Sequence, residues 1–154
     1  WFNETNDKII ISAADCTGHG VAGGLLSMLG ISYLNEIVNI KKVTSPEKIL
    51  DELRILLIKA LKQEETSKSY LSGIDMAIVV VNKKMDTLEY AGANNPMYLV
   101  RNNELHEYIP DKMPIAYYDK MEDFKKQIIP LKKDDQIYLF SDGYTDQFGG
   151  HGQK

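Results

Sequence analysis

Hydrophobic and polar positions change their period once along this chain. The run KIIISAAD, Lys8 to Asp15, is short and isoleucine-rich, which predicts a buried strand ending on an acid. From Val21 to about Asn39, Leu25, Met28, Leu29, Leu34, Ile37 and Val38 recur at helical spacing and predict a helix with one apolar face. TSPEKILDELRILLIKALKQ predicts a second helix, with Ser45 as its cap and Pro46 at its first position. Its apolar face is Ile49, Leu53, Leu56, Leu57, Ala60 and Leu61. The polar loop ETSKS follows, and then the pattern turns to strand formers. GIDMAIVVVNKK, MDTLEYAGA, MYLVRNN, LHEYI, FKKQIIPL and DQIYLFSD each read as a strand, with turn composition in NKKMDT and GANNP. PDKMPIAYYDKMED is the longest irregular stretch. One strand, two helices and a strand series predict an α+β fold, a sheet or pair of sheets covered by helices on one side. No internal repeat, low-complexity tract or linker interrupts it, so residues 1–154 are expected to form a single domain.

Composition narrows the function classes. The 154 residues suffice for one core, and 44% hydrophobic with 26% charged residues is a globular balance. A net charge of −4 offers no basic surface for nucleic acid or an anionic membrane. The one cysteine, Cys16, excludes a disulfide framework and fits a reducing cytosol, so a cytoplasmic location is expected. No uninterrupted apolar run approaches the roughly 20 residues that cross a bilayer, and no signal-peptide pattern opens the chain, so membrane insertion is not expected. The chain starts on Trp1 and ends on GGHGQK, which reads as a piece of a longer polypeptide, incomplete at both edges.

Two strand ends carry the candidate chemistry. SAADCTGHGVAGG and IYLFSDGYTD each end an apolar run on an aspartate, Asp15 and Asp142, with glycine close behind. An acid at the end of a buried strand needs a cation or several donors to offset its desolvation. Glycine lets backbone approach a ligand closely. Two such ends could converge on hard divalent cations, which prefer carboxylate and carbonyl oxygens. Taken singly, each aspartate reads as a turn or cap residue. GHGVAGG could cradle a phosphate at a helix start, but no lysine followed by serine or threonine completes a Walker loop. His19 reads first as a capping or packing residue, Cys16 as a small buried one. Asp75 reads as a strand-edge or turn residue, and Asp146 as a helix-start residue or a support for the second motif.

Taken together, the blocks carry a resemblance. AADCTGHGVAGGLLSMLG resembles the Asp-x-x-Gly-His-Gly signature of the SpoIIE-like bacterial branch of the PPM metal-dependent serine/threonine phosphatases. LEYAGANNPMYLVRN, DKMPIA and DDQIYLFSDGYTDQFGG are similar to later blocks of that branch, in the same order. The resemblance implies two packed, mainly antiparallel sheets flanked by helices, an α-β-β-α sandwich. It implies two manganese or magnesium ions at one end, with Asp15 bridging them, the Cys16 backbone carbonyl adding an oxygen, and Asp142 ligating one. It implies single-step hydrolysis of phosphoserine or phosphothreonine by a metal-activated water. Eukaryotic relatives place a histidine two residues after the bridging aspartate, where this chain has Thr17. For His19 a general-acid role and loop shaping therefore both stand, and full turnover of a poor-leaving-group substrate by His19→Ala would leave only the latter. Ala22 replaces a common proline and Ala116 a common glycine; neither carries chemistry.

The resemblance also puts one ligand aspartate just before Trp1 and another beyond Lys154. The chain as given is accordingly expected to bind metal weakly, or not at all, and to show little activity. The partners implied are a phosphorylated regulatory protein of the anti-sigma-factor antagonist type, N-terminal sensor or receiver domains, and a second copy through a dimerising helix. Helices beside the active site are implied in regulation, and the Val21–Ile40 helix is placed for that. The alternatives are a phosphatase fold that serves as an inactive scaffold, and, less favoured, a phosphate-loop nucleotide binder.

Overall fold

A computed structural model of the chain describes residues 1–64, 72–84 and 86–145, with backbone alone for residues 144 and 145. The ETSKS loop, Asp146 and the terminal GGHGQK lie outside the described residues. In chain order the elements are β1 (Phe2–Glu4), β2 (Lys8–Cys16), α1 (Gly20–Asn35) and a π-helical turn (Glu36–Ile40). Then come α2 (Pro46–Leu61), β3 (Ile74–Asn82), β4 (Thr87–Ala93), β5 (Met97–Arg101), β6 (Glu104–Tyr108), β7 (Gln127–Pro130), β8 (Gln136–Leu139) and the single turn α3 (Asp142–Thr145). The strands form a five-stranded sheet in the order β1-β2-β3-β4-β7 and a three-stranded sheet in the order β6-β5-β8, all antiparallel.

The central strand β3 explains the layering. Side chains alternate across a strand, and both faces of β3 are covered, which is why MAIVVV is continuously apolar. Ile74, Met76, Ile78 and Val80 join Leu26, Leu34, Ile49, Leu53 and Leu57 in a core between the sheet and the helices. Ala77 and Val79 face the other way, with Leu88, Tyr90, Met97 and Ile129, in a core between the two sheets. Both long helices thus lie on one side of the five-stranded sheet, and the second sheet lies on the other. The Asn102–Asn103 pair, both at positive φ (52° and 63°), closes the tight β5–β6 hairpin.

Three details differ from the sequence reading. β1 is an added edge strand. The buried stripe of α1 is Gly23, Leu26, Gly30 and Leu34, whereas Leu25 and Met28 are exposed. Glycines bring this helix onto its neighbours: a Cβ on Gly23 would lie 2.8 Å from the Gly18 carbonyl, and one on Gly30 would lie 2.8 Å from Ile74 Cδ1. Ser45 does sit at the α2 N-cap, with Pro46 behind it, but makes no side-chain cap bond. Its hydroxyl donates to the Glu47 carboxylate and accepts from Lys126 Nζ at 3.0 Å. The helical segment Gly20–Ile40, 21 residues of mean hydropathy 1.4, is long and apolar enough to cross a bilayer by length and composition. It is not an uninterrupted apolar run, since Ser27, Ser32, Asn35, Glu36 and Asn39 break it, and its Leu26, Leu34, Ile37 and Val38 pack into the core.

Candidate metal centre

The first motif is a strand, a three-residue loop and a helix start. β2 ends at Cys16, and α1 begins at Gly20. Gly18 (φ +94°) in the loop and Gly20 (φ +63°) at the helix start take left-handed conformations that side-chain-bearing residues resist. Thr17 pins the base of the loop: its backbone N–H donates to the Gly73 carbonyl at 2.9 Å, and its hydroxyl accepts from Gly73 N–H at 3.3 Å. His19 occupies the α1 N-cap in an extended conformation, with no side-chain cap bond. A polar cleft of about 300 Å³ opens over this loop, with Asp15, Gly18, His19 and Gly24 among its walls.

Alternation along β2 places Asp15 on the face toward the second sheet and Cys16 on the face toward α1. In the β2–β3 ladder Asp15 pairs directly with Asp75. The chain leaving β8, in the second sheet, delivers Asp142 at the first residue of α3. The Asp15 and Asp142 side chains lie close enough for the Asp142 carboxylate to raise the Asp15 carboxyl. These two acids are 127 positions apart (142 − 15) and come from different sheets. Their side chains point to one place, at the end of the gap between the sheets.

The acids perturb one another. Burial, and then the Asp142 carboxylate, raise the Asp15 carboxyl above the usual carboxylate range, and the Asp75 charge adds to this. The Cys16 backbone N–H, donating to the same carboxylate, opposes the rise. Burial is also the main cause raising Asp75, with a contribution from Asp142, while the Asn94 amide, donating to Asp75 Oδ1 at 2.8 Å, opposes it. Asn94 is held at a positive φ of 59° by the turn after β4, and its backbone N–H donates to the Asp111 carbonyl at 2.9 Å. Like charges gathered without a cation among them are costly, and an oxygen-only donor set of this kind suits a hard divalent ion. Among the described residues, no group of three or more His, Cys, Asp or Glu is close enough to enclose an ion by itself. Asp15 and Asp142 lie at this end of the gap, with Asp75 beside Asp15 in the ladder.

Of the residues singled out in the sequence, Asp15 and Asp142 come together and His19 lines the cleft beside Asp15. The Cys16 thiol lies on the opposite face of β2. Asp75, read from sequence as a strand-edge or turn residue, is the second residue of β3 and the cross-strand partner of Asp15. No local signal reveals it, since only the β2–β3 register brings it there.

The comparisons agree with this architecture. The model of the family described as Stage II sporulation protein E (SpoIIE) matches residues 5–154. The phosphoserine phosphatase RsbP of Bacillus subtilis (strain 168) is 25% identical over 138 residues, 86% of this chain and 32% of that protein. The SiaA-PP2C domain of Pseudomonas aeruginosa superposes with a TM-score of 0.85 at 27% identity, over 99% of this chain and 58% of that one. RsbX in complex with magnesium shares the fold, with a TM-score of 0.65 at 14% identity over 93% of this chain and 64% of that one. The chain spans about a third of RsbP and under two thirds of the SiaA structure. Two antiparallel sheets backed by two long helices match the PP2C-like fold of these neighbours, and the chain belongs to the SpoIIE family.

Proposed function

We propose that this chain is the phosphatase unit of a bacterial signalling protein and hydrolyses phosphoserine or phosphothreonine on a regulatory protein. The observation that carries the reading is the meeting of Asp15 and Asp142, from two sheets, at one end of the inter-sheet gap. RsbP, a phosphoserine phosphatase by name, and the SiaA-PP2C domain support the reaction class, and magnesium in RsbX supports the cation class.

Asp15, Asp142 and the Cys16 backbone carbonyl would hold the ions, together with the aspartates that the resemblance puts before Trp1 and beyond Lys154. Manganese or magnesium bound there supplies charge stabilisation for the phosphoryl group and a nucleophile at neutral pH. Asp75 deepens the negative potential behind Asp15 and fixes it through the β2–β3 ladder. The loop glycines keep the cleft wide enough for a phosphorylated side chain. His19 shapes the loop at the α1 N-cap. The substrate is of the anti-sigma-factor antagonist type, the protein works in the cytoplasm, and sensor or receiver domains and a second copy complete the assembly.

The test is manganese-dependent hydrolysis of p-nitrophenyl phosphate and of a phosphoserine peptide. It uses a longer polypeptide carrying both flanks of this chain, beside its Asp15→Ala and Asp142→Ala variants. Loss of turnover by about a thousandfold in each, with the fold intact by circular dichroism, is expected for residues that hold the catalytic ions. Wild-type polypeptide that binds manganese without turning over either substrate would favour the scaffold reading.

A further inference from the structure

On the other face of β2, away from the acids, α1 and the five-stranded sheet enclose a second cavity of about 160 Å³. Ser12, Ala14 and Cys16 form its floor, Gly30 and Ile31 part of its roof, and Trp1 one end. The cavity follows from side-chain size. Ile10 fills this face of β2 completely, but the next residues on the same face are a serine, an alanine and a cysteine. Gly30 adds no side chain from above. The Trp1 indole is fixed as the end wall, with Nε1 donating to Asn35 Oδ1 at 3.0 Å.

One polar atom in this cavity is unmatched. Ser12 Oγ has no hydrogen-bond partner, and Ser12 is only 6% exposed. The other hydroxyl on the lining, that of Ser27, is already donated to the Gly23 carbonyl at 2.9 Å. A buried hydroxyl without a partner is a cost the fold carries for no structural return. A water at Ser12 would partner the hydroxyl but leave the largely apolar walls without partner atoms. Ala14 is exposed and Ile31 is 49% exposed, so the cavity has a mouth at the surface. Its volume is close to that of an engineered apolar cavity, about 150 Å³, that takes up benzene.

We infer that this cavity is a binding site for a small neutral aromatic alcohol of the phenol class. The ring lies between Gly30, Ile31 and the Trp1 indole, and its hydroxyl pairs with Ser12 Oγ. Among the described residues no carboxylate, lysine or arginine side chain lines the cavity, which favours a neutral ligand. Ala14 and Cys16 flank Asp15 in sequence, so occupant and acid cluster sit on opposite faces of one strand, two residues from end to end.

The chain supplies its own reporter, since Cys16 is its single cysteine and lines the site. Phenol and toluene are titrated calorimetrically, and the rate of Cys16 alkylation by N-ethylmaleimide is followed at fixed pH. Phenol is expected to bind with a dissociation constant of about 1 mM or tighter, within the per-atom ceiling for so small a ligand, and to slow alkylation. Toluene, lacking the hydroxyl, binds roughly tenfold more weakly. Ser12→Ala removes that preference. Ala14→Leu fills the mouth and abolishes both binding and protection, with folding checked by circular dichroism. Absence of phenol binding well above that concentration, a phenol preference that survives Ser12→Ala, or undiminished protection in Ala14→Leu each overturns the inference.

Discussion

Replacing Asp15 by asparagine should make the cation-free protein more stable while removing its response to divalent ions. Asparagine keeps the shape of the side chain and removes one negative charge from a group in which Asp142 and Asp75 both raise the Asp15 carboxyl. Asp142 is exposed, so the repulsion lies toward the aqueous limit, about 1 kcal/mol for unit charges 4 Å apart, rather than the several kcal/mol of a drier site. For a chain of this length, about 1 kcal/mol corresponds to a rise in Tm of roughly 2–4 °C. Differential scanning fluorimetry at pH 7 in chelator measures it. In the longer polypeptide carrying both flanks, manganese at a hundred times its dissociation constant should stabilise the wild type by about 2.7 kcal/mol and leave Asp15→Asn nearly unmoved. A variant that melts at or below the wild type in chelator would mean the carboxylates do not repel. The seat would then be no preformed cation site.

Other expected outcomes rest on single contacts. In Gly92→Ala the new Cβ would crowd the Tyr90 hydroxyl, lie 2.6 Å from the Asn95 carbonyl and 2.8 Å from Pro110 Cβ, so a loss of about 3 kcal/mol is expected in urea unfolding. Tyr90→Phe removes the first of those neighbours and also the bond to the Asn95 carbonyl, so the double variant should be more stable than the two single losses added together. Arg101 grips Asp135 through two bonds, at 2.8 and 2.6 Å, and holds its carboxyl down at about 2, below the usual 3.8. Because the folded value is the lower one, this stability is present above pH 3.8 and lost as pH falls through about 2. The Tm gap between wild type and Arg101→Met should therefore close over that window, and a gap constant from pH 5 to pH 2 would contradict the assignment. Leu53→Ala, at a fully buried α2 position, should cost about 3 kcal/mol by the same urea assay.

How far the sequence could be read depended on whether the deciding interactions were local. The helices and the strand series after them were legible because hydropathy period is a property of neighbouring residues, and so were Asp15 and Asp142 as strand-end acids. The face of α1 was not, because glycine carries no hydropathy signal. Gly23 and Gly30 bury the helix by letting backbone approach, while Leu25 and Met28 stay outside. Ser45 was placed correctly as a cap, yet Glu47 and Lys126 compete for its hydroxyl, and Lys126 is distant in sequence. The pairing of Asp75 was hidden for a similar reason: its neighbours in sequence are apolar strand formers, and its partner Asp15 is 60 residues away (75 − 15). Register between strands is a property of the folded sheet.

The wide turn at Glu36–Ile40 gives this helix one residue of slack. Lys41 N–H reaches back five positions to the Glu36 carbonyl, at 2.9 Å, so the backbone there holds one residue more than an α-helical turn would. A relative one residue shorter between 36 and 40 can rewind to an ordinary α-turn and keep every downstream element in place. A single-residue gap at that point of a pairwise alignment then marks a change of pitch, with no element gained or lost.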